Sequence, residues 1–169
     1  MIWYTLLIAA VAVERLMELV VSKRNWAWSR DRGGSEFGAG HYPVMVTLHT
    51  ALLAGCLVEV FVFDRPFIPA LGWPMLAVVM AAQVLRWWCI STLGHQWNTR
   101  VIVVPGADRV VGGPYRLIPH PNYVAVVIEG IALPLVHSAW LTAVVFTVLN
   151  AALLRTRIRV ENAALASLT

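Results

Sequence analysis

A proline-rich polar stretch, GGPYRLIPHPNY, interrupts an otherwise mostly apolar chain at residues 112–123. Its two glycines permit unusual backbone dihedral angles, whereas its three prolines fix φ and lack an amide donor. The residue before each proline is biased towards extended geometry. We therefore expect a stiff loop whose carbonyl and amide groups point in fixed directions, an arrangement that could recognise the edge of an adenine ring.

A second set of residues, three of them polar, follows helical spacing near the end of the chain. The set, separated by four, three and four positions, consists of Asn150, Leu154, Arg157 and Glu161. This spacing places all four on one stripe of a helix, and Arg157 and Glu161 can brace each other as an i, i+4 pair. An arginine at a helix end can also simply extend its charge to water. We interpret a stripe that faces the proline-rich loop as part of a site.

Other kinds of site are not indicated. The GAG at residues 38–40 lacks the third glycine and the preceding strand of a dinucleotide-binding turn, and no Walker sequence occurs. The five histidines are scattered, so we expect no metal site. The net charge is +4, but the basic residues are dispersed, which argues against a nucleic-acid partner. Cys56 and Cys89 lie inside apolar runs and are interpreted as small buried side chains.

The composition indicates the elements that position these residues. Hydrophobic residues make up 59% of the chain and charged residues 13%, whereas an ordinary soluble domain has about 45–50% and about 25%. The apolar runs reach about 20 residues, the length needed to cross a bilayer core. With 169 residues, we expect a single membrane domain over 1–169.

Five apolar segments are predicted to be helices, because backbone groups in lipid must bond within their own segment. They cover residues 2–21, 42–63, 71–93, 123–136 and 139–154. The predicted fold class is therefore an all-α integral membrane protein with about five transmembrane helices. The last two segments are short and nearly contiguous, so we expect a short helical hairpin. Within the connector, the apolar runs at 101–104 and 110–111 predict a small hairpin or a membrane-surface excursion.

The basic residues predict the orientation in the membrane. Ten of them fall on one side of the predicted bundle, namely Lys23, Arg24, Arg30, Arg32, Arg100, Arg109, Arg116, Arg155, Arg157 and Arg159. On the other side only Arg65 is found. Because cytoplasmic loops carry the excess of Lys and Arg, we expect the N-terminus outside, and the C-terminus and the site on the cytoplasmic side.

Several charged residues fall inside the apolar segments, where each costs about 3 kcal/mol or more unless it pairs or lines a cavity. They are Glu14, Arg15, Glu18, Glu59, Arg86 and Glu129. Two interpretations stay open at this point. The residues form a polar clamp between helices, or they form a polar wall for the head group of a substrate.

The loop and the terminal stripe together resemble the isoprenylcysteine carboxyl methyltransferase family. Its members carry a Gly-Pro-Tyr-Arg-x-x-Arg-His-Pro-x-Tyr loop, similar to GPYRLIPHPNY, and a distal Arg-Ile-x-x-Glu-Glu-x-x-Leu helix, similar to RIRVENAAL. The upstream LGHQWNTRV is similar to the family's Leu-Gly-x-x-Trp segment. Two positions depart from the pattern, because Pro119 replaces an Arg and Asn162 replaces the second Glu. A bacterial branch with GAGHYP after its first helix is more similar still.

The resemblance implies a membrane O-methyltransferase that uses S-adenosylmethionine and releases S-adenosylhomocysteine. It implies N-terminal helices over residues 1–70 and a cofactor-binding core, with a cytoplasmic loop, over 71–169. The implied cofactor-binding residues are Gln96, Tyr115, Arg116, His120, Pro121, Tyr123 and Glu161. Arg157 and Glu161 are the implied catalytic residues, and the substrate side is expected to include Glu129, Asn150 and Arg157.

The expected acceptor is a lipophilic small molecule drawn from the bilayer. The bacterial branch resembles enzymes acting on long-chain pyrones or resorcinols, with a prenylcysteine carboxylate as the alternative. A carboxylate or acidic enol is already ionised, so Arg157 need only hold the oxyanion, whereas a phenol would need a base such as Glu161 or Glu129. An NADPH-dependent membrane reductase, whose His-Pro-x-Tyr loop is similar, and a non-enzymatic scaffold or transporter remain the other classes. The oligomeric state stays open.

Overall fold

The computed structural model describes residues 1–166, so the last three residues of the predicted core lie outside it. Over this range the chain forms five α-helices and a two-stranded ribbon. The helices are α1 (Ile2–Arg30), α2 (Tyr42–Val62), α3 (Pro69–Leu93), α4 (Pro121–Leu135) and α5 (Trp140–Ala166). The strands are β1 (Ser35–Phe37) and β2 (Val101–Val103).

Local sequence signals explain several of the helix ends. A proline lies in the first turn of α2, α3 and α4, where its missing amide donor costs nothing and its fixed φ suits a helix. Gly94 ends α3 with a φ of 52°, a conformation that favours glycine. The chain therefore leaves α3 abruptly and turns back towards α1.

Three helices, rather than five, are long and apolar enough to cross a membrane. They are Ala39–Val62 and Pro69–Gln96, each with its adjoining 3₁₀ turn, and Trp140–Ala166. The helix α1 has Glu14, Arg15 and Glu18 at its middle, which lowers its hydropathy. The helix α4 has 15 residues and measures about 22 Å, less than the thickness of a bilayer core of about 30 Å. The prediction of helices is confirmed, and spanning by length and composition is confirmed for three.

The last two helices are unequal, which corrects the expectation of two short segments. Residues 136–139 join them, with Ser138 at a φ of 57°, and α4 ends there while α5 continues for 27 residues. The helix α5 therefore runs well past the apolar segment predicted to end at Leu154. As a result, Asn150, Arg157 and Glu161 lie on one continuous helix.

The connector between α3 and α4 does not form the local hairpin expected from its two apolar runs. Instead β2 pairs antiparallel with β1, and Glu36 lies opposite Ile102. Val101 and Val103 pack with Phe37 and with Val160 and Ala164 of α5. The ribbon is thus a small exception to the all-α prediction, and it fastens the connector to the end of α5.

The main apolar core lies between α1, α2, α3, α4 and α5 at the opposite end of the bundle. Its members include Tyr4, Cys56, Val79, Leu133 and Phe146. The Tyr4 hydroxyl is fully buried and donates to the Leu133 carbonyl oxygen at 3.0 Å. Cys56 and Cys89 are free and buried, as predicted.

A carboxylate from α2 caps the first turn of α5. Glu59 is 3% exposed and accepts the backbone amides of Leu141 at 3.1 Å and Thr142 at 2.7 Å. These are amides for which an α-helix offers no internal acceptor. Glu59 also pairs with Arg65 at 2.9 Å. The Glu59 carboxylate therefore connects α2 to α5. At this position the structure supports a polar clamp between helices rather than a wall for a substrate head group.

We expect Glu59→Ala to lower the unfolding free energy by about 1–3 kcal/mol, because two buried amides lose their acceptor. The thermal midpoint of the detergent-purified variant checks this. Asp31→Ala is the matched control. Asp31 is exposed, and its ion pair with Arg30 is long at 4.0 Å; exposed ion pairs contribute little to the free energy of unfolding. Equal midpoints for the two variants would contradict the capping role.

Candidate active site

A cavity lies between the connector and the ends of α1, α2 and α5. Its volume is approximately 580 Å³, within the range of about 300–1,000 Å³ found for small-molecule sites. Of the ten predicted cofactor, catalytic and substrate residues, seven line it, namely Gln96, Tyr115, His120, Tyr123, Asn150, Arg157 and Glu161. The proline-rich loop and the terminal helix therefore meet around one cavity.

Three other predicted site residues lie outside this lining. Arg116 is exposed on the loop, and Pro121 is buried in the first turn of α4. Glu129 lies behind the cavity, where its carboxylate is held by arginines from two helices. These positions do not fit direct contact with a molecule in the cavity, and Glu129 in particular is not placed to act as a base there.

Arg157 is the most deeply buried cation of the lining that carries no ion pair. It is 4% exposed, and its two terminal nitrogens donate to the Thr99 carbonyl oxygen and approach the Met45 sulfur, each at 2.8 Å. This corrects the expected brace with Glu161, because the guanidinium turns towards the connector instead. Within residues 1–166, neither its Nε nor the Oδ1 of Asn150 has a hydrogen-bond partner. Both atoms are covered by protein and have essentially no accessible surface, so contact between either atom and a molecule in the cavity requires these side chains to move.

Glu161 forms a compact acid–base group with the loop. The Tyr123 hydroxyl donates to Glu161 Oε2 at 2.5 Å, and His120 Nδ1 lies 3.3 Å from Glu161 Oε1. His120 Nε2 lies 3.1 Å from Asn162 Oδ1, so both ring nitrogens face acceptors. The hydrogen bond to Glu161 raises the pKa of His120, against the opposing effects of burial and of Arg109. The arrangement favours an imidazolium.

Burial also acts on Tyr115, the other aromatic residue of the loop. Desolvation raises the pKa of its hydroxyl, and the neighbouring Cys89 thiol acts in the same direction. Tyr115 is therefore a neutral wall of the cavity. Gln96, at the start of the connector, also lines the cavity, and its side-chain amide donates to the Asp108 carbonyl oxygen at 3.1 Å.

The charges inside the helices form a cluster at the inner end of the cavity. Arg15 contacts Glu18 and Glu129 at 2.5 Å each, and Arg86 contacts Glu129 at 2.5 Å and Glu18 at 3.5 Å. Two arginines thus balance two carboxylates across α1, α3 and α4. Arg15, Glu18 and Arg86 also line the cavity, so the cluster is both a clamp and part of a polar wall.

The cavity reaches the outer surface of the helix bundle between α1 and α2. Leu16 and Leu19 of α1 and Val46 of α2 belong to its lining, yet they are 62%, 37% and 37% exposed. Leu53, Val126 and Leu153 line it further inside. An apolar chain could therefore extend from the polar end of the cavity to the surface that faces lipid.

Sequence reasoning missed the residues that hold Arg157. Thr99 and Met45 carry no motif, because one acts through its backbone carbonyl and the other through a thioether. His41 precedes the first residue of α2 at the N-cap position, and its ring nitrogens are buried without a partner among the residues described. No signal in a single sequence distinguishes these contacts.

Comparison with known proteins gives two findings. A family model described as isoprenylcysteine carboxyl methyltransferase (ICMT) family matches residues 75–167. The chain is also 38% identical over 166 residues to "Uncharacterized protein YpbQ" of Bacillus subtilis (strain 168), covering 98% of this chain and 96% of that protein. The family match includes the proline-rich loop and the Arg157 stripe, whereas α1 and α2 lie before it.

The His120–Glu161 contact predicts a pH-dependent stability. A raised folded-state pKa gives stabilisation that is complete below the unfolded value of about 6.5 and is lost as the pH rises through the folded value. We expect His120→Gln to lower the thermal midpoint most near about pH 6 and progressively less at alkaline pH. A midpoint difference that stays constant, or that grows as the pH rises, would contradict a raised pKa of His120 in the folded protein.

Proposed function

Because the chain belongs to the isoprenylcysteine carboxyl methyltransferase family, a family of integral membrane methyltransferases, we propose that it methylates an oxygen of a lipophilic acceptor with S-adenosylmethionine. The observation that carries this proposal is the buried guanidinium of Arg157 at the cavity wall, which has no direct ion pair within residues 1–166. It shares one cavity with the loop residues His120 and Tyr123.

The residues present fit this cofactor. A carboxylate and an electron-rich ring, those of Glu161 and Tyr123, suit a sulfonium cation, and the stiff loop with His120 suits the adenine. Gln96 and Tyr115 complete the same wall. When bound, the cofactor supplies an electrophilic methyl group and leaves as S-adenosylhomocysteine. Arg116 and Pro121 shape the loop and the start of α4 rather than touching the bound molecule.

The chain's own residues supply positioning and electrostatics. We assign Arg157 to the oxyanion of the acceptor, where a preorganised cation in a dry site stabilises developing or existing negative charge far more than in water. Asn150, about two helical turns before Arg157 on α5, receives a second polar group of the acceptor head. The apolar wall formed by Leu53, Val126 and Leu153 takes the tail. No strong base is then required for an acidic acceptor.

This division favours an acidic enol or similar ring hydroxyl, as in a long-chain pyrone or resorcinol, as the acceptor. The enol of a pyrone ionises readily, which suits a site that has a buried cation at its wall and whose Glu129 carboxylate is held by Arg15 and Arg86 instead. A prenylcysteine carboxylate, for which the family is named, shares the charge and the apolar tail and is the second candidate. In either case the tail reaches lipid between α1 and α2.

We also propose that the site faces the cytoplasm. The basic residues near the cavity, on the connector and at the end of α5, outnumber those at the other end of the bundle, where Arg65 lies. Cytoplasmic segments carry this excess. The water-soluble methyl donor then arrives from the cytoplasm, whereas the acceptor arrives from the bilayer.

The direct test incubates detergent-purified protein with methyl-labelled S-adenosylmethionine and, separately, an alkylpyrone, an alkylresorcinol and a prenylcysteine. We expect label in the pyrone or resorcinol first, because their hydroxyls match the Arg157 site. S-adenosylhomocysteine at 100 times its Kd should stabilise the protein by about 2.7 kcal/mol. Stabilisation by NADPH instead, with no methyl transfer, would favour a reductase, and stabilisation by neither would favour a non-enzymatic protein.

Variants separate the two parts of the site within the same assay. Arg157→Ala should lower kcat by about 100-fold while changing the affinity for S-adenosylhomocysteine little. His120→Ala should weaken that affinity by about tenfold, because the charge-assisted contact between His120 and Glu161, which shapes the cofactor wall, is lost. Arg155→Ala, an exposed arginine on the same helix, is the control. Wild-type turnover in both site variants would contradict the assignment.

A further inference from the structure

The first helix, which precedes the family-matched residues 75–167, buries a polar stripe. In its second half the buried residues are Glu18, Ser22, Asn25 and Ser29. They are spaced by four, three and four positions, which is one face of a helix. Meanwhile Leu16 and Val20 on the same half are 62% and 61% exposed. A helix that exposes leucine and buries serine and asparagine must hold something polar.

Ser22 has every hydrogen-bonding site of its hydroxyl occupied by the connector. The hydroxyl donates to Asn98 Oδ1 at 2.8 Å, lies 2.8 Å from the Thr99 hydroxyl, and accepts the Thr99 backbone amide at 3.2 Å. A serine hydroxyl has one donor and two acceptor positions. The Ser22 carbonyl oxygen accepts a further bond from Asn98 Nδ2 at 3.0 Å.

Asn25 spends both of its amide hydrogens on the same connector. Its Nδ2 donates to the carbonyl oxygens of Gly94 at 3.0 Å and Trp97 at 2.7 Å. Both carbonyls lie where the chain leaves α3; the Gly94 carbonyl oxygen also accepts the Trp97 backbone amide at 3.1 Å. Ser22 and Asn25, 5% exposed each, therefore determine the course of residues 94–99.

The end of this anchored segment holds the guanidinium of Arg157. The Thr99 residue whose amide and hydroxyl face Ser22 presents its carbonyl oxygen to Arg157 Nη2 at 2.8 Å. A continuous set of contacts thus runs from α1 through Thr99 to α5. The next residue, Arg100, pairs with Glu36 at 2.8 Å and covers the Tyr42 ring at 4.2 Å, which fixes the far side of the segment.

We propose that Ser22 and Asn25 are positioning residues for methyl transfer, and this rests on the function proposed above. They hold the connector so that the Thr99 carbonyl oxygen keeps the Arg157 guanidinium at the wall of the cavity, on the side where we place the acceptor oxygen. An arginine side chain has many rotamers, and a misplacement of about 1 Å at a reacting centre can cost about 100-fold in rate. The helix α1 is therefore part of the catalytic apparatus rather than only a membrane anchor.

A purely structural role for the stripe makes different predictions. If the stripe only stabilised the fold, removing the Ser22 hydroxyl would lower the thermal midpoint and leave the remaining folded protein fully active. If it positions Arg157, kcat falls while KM for the acceptor and the affinity for S-adenosylhomocysteine stay near wild type. The two effects are measured separately.

The experiment compares Ser22→Ala, Ser22→Thr and Asn25→Ala with Ser91→Ala, which removes an exposed serine hydroxyl that bonds only within α3. We expect Ser22→Ala to lower kcat by about tenfold and Ser22→Thr, which keeps the hydroxyl, to recover most of it. Hydrogen exchange of peptides covering residues 94–101 should accelerate in Ser22→Ala, because the Thr99 amide loses its acceptor. The exchange readout requires no substrate.

A double-variant cycle makes the claim specific to Arg157. In the Arg157→Ala background, Ser22→Ala should cause no further loss of kcat, because residues that act through one group are not additive. A further tenfold loss there, or wild-type kcat in Ser22→Ala despite faster exchange, overturns the positioning role. Absence of methyl transfer by the wild-type protein contradicts the proposed function itself. Should Ser22→Ala fail to fold, Asn25→Ala and Ser22→Thr carry the same comparison.

Discussion

The contact between the guanidinium of Arg157 and the carbonyl oxygen of Thr99 joins the two parts of the chain that enclose the cavity. Arg157 belongs to the last helix and Thr99 to the connector, 58 positions earlier. A buried arginine is costly unless its nitrogens find acceptors, so the helix end and the connector are held in register by that requirement. The β1–β2 ribbon against Val160 and Ala164 of α5 adds apolar packing at the same place.

The distribution of charge follows from burial in an apolar bundle. Arg15, Glu18, Arg86 and Glu129 neutralise one another at the inner end of the cavity, and Glu59 is taken up by the first turn of α5. Near the connector, Glu161 is shared between His120 and Tyr123. Among the described residues that line the cavity deeply, Arg157 is the cation without a carboxylate in contact. That buried guanidinium, at the cavity wall and without a direct ion pair within residues 1–166, is the physical basis for proposing an anionic acceptor.

The proline-rich loop and the stripe on α5 were predictable from sequence because both signals are local. Proline fixes φ whatever its surroundings, and the 4-3-4 spacing of Asn150, Leu154, Arg157 and Glu161 needs only a continuous helix. The pairing of β1 with β2 was not predictable, since it joins residues some 65 positions apart and each strand has three residues. The predicted direct contact between Arg157 and Glu161 was wrong for the same reason. An i, i+4 neighbour can be recognised in a sequence, whereas the backbone carbonyl of a distant loop, here that of Thr99, cannot. The buried polar stripe on α1, which runs from Glu18 to Ser29, has the same 4-3-4 spacing as the stripe on α5. It was not predicted from the sequence, because only the charged residues of this helix were considered.

The central claim is that the loop at 112–123 and the Arg157 end of α5 enclose a methyl donor beside an opening to lipid. A crystal structure of the protein grown with S-adenosylhomocysteine tests this most directly. We expect density for the nucleoside of S-adenosylhomocysteine against His120 and Tyr123, with the sulfur of the ligand directed towards the side of the cavity where Arg157 lies. Density elsewhere on the protein, or a connector that lies apart from α5, would contradict it.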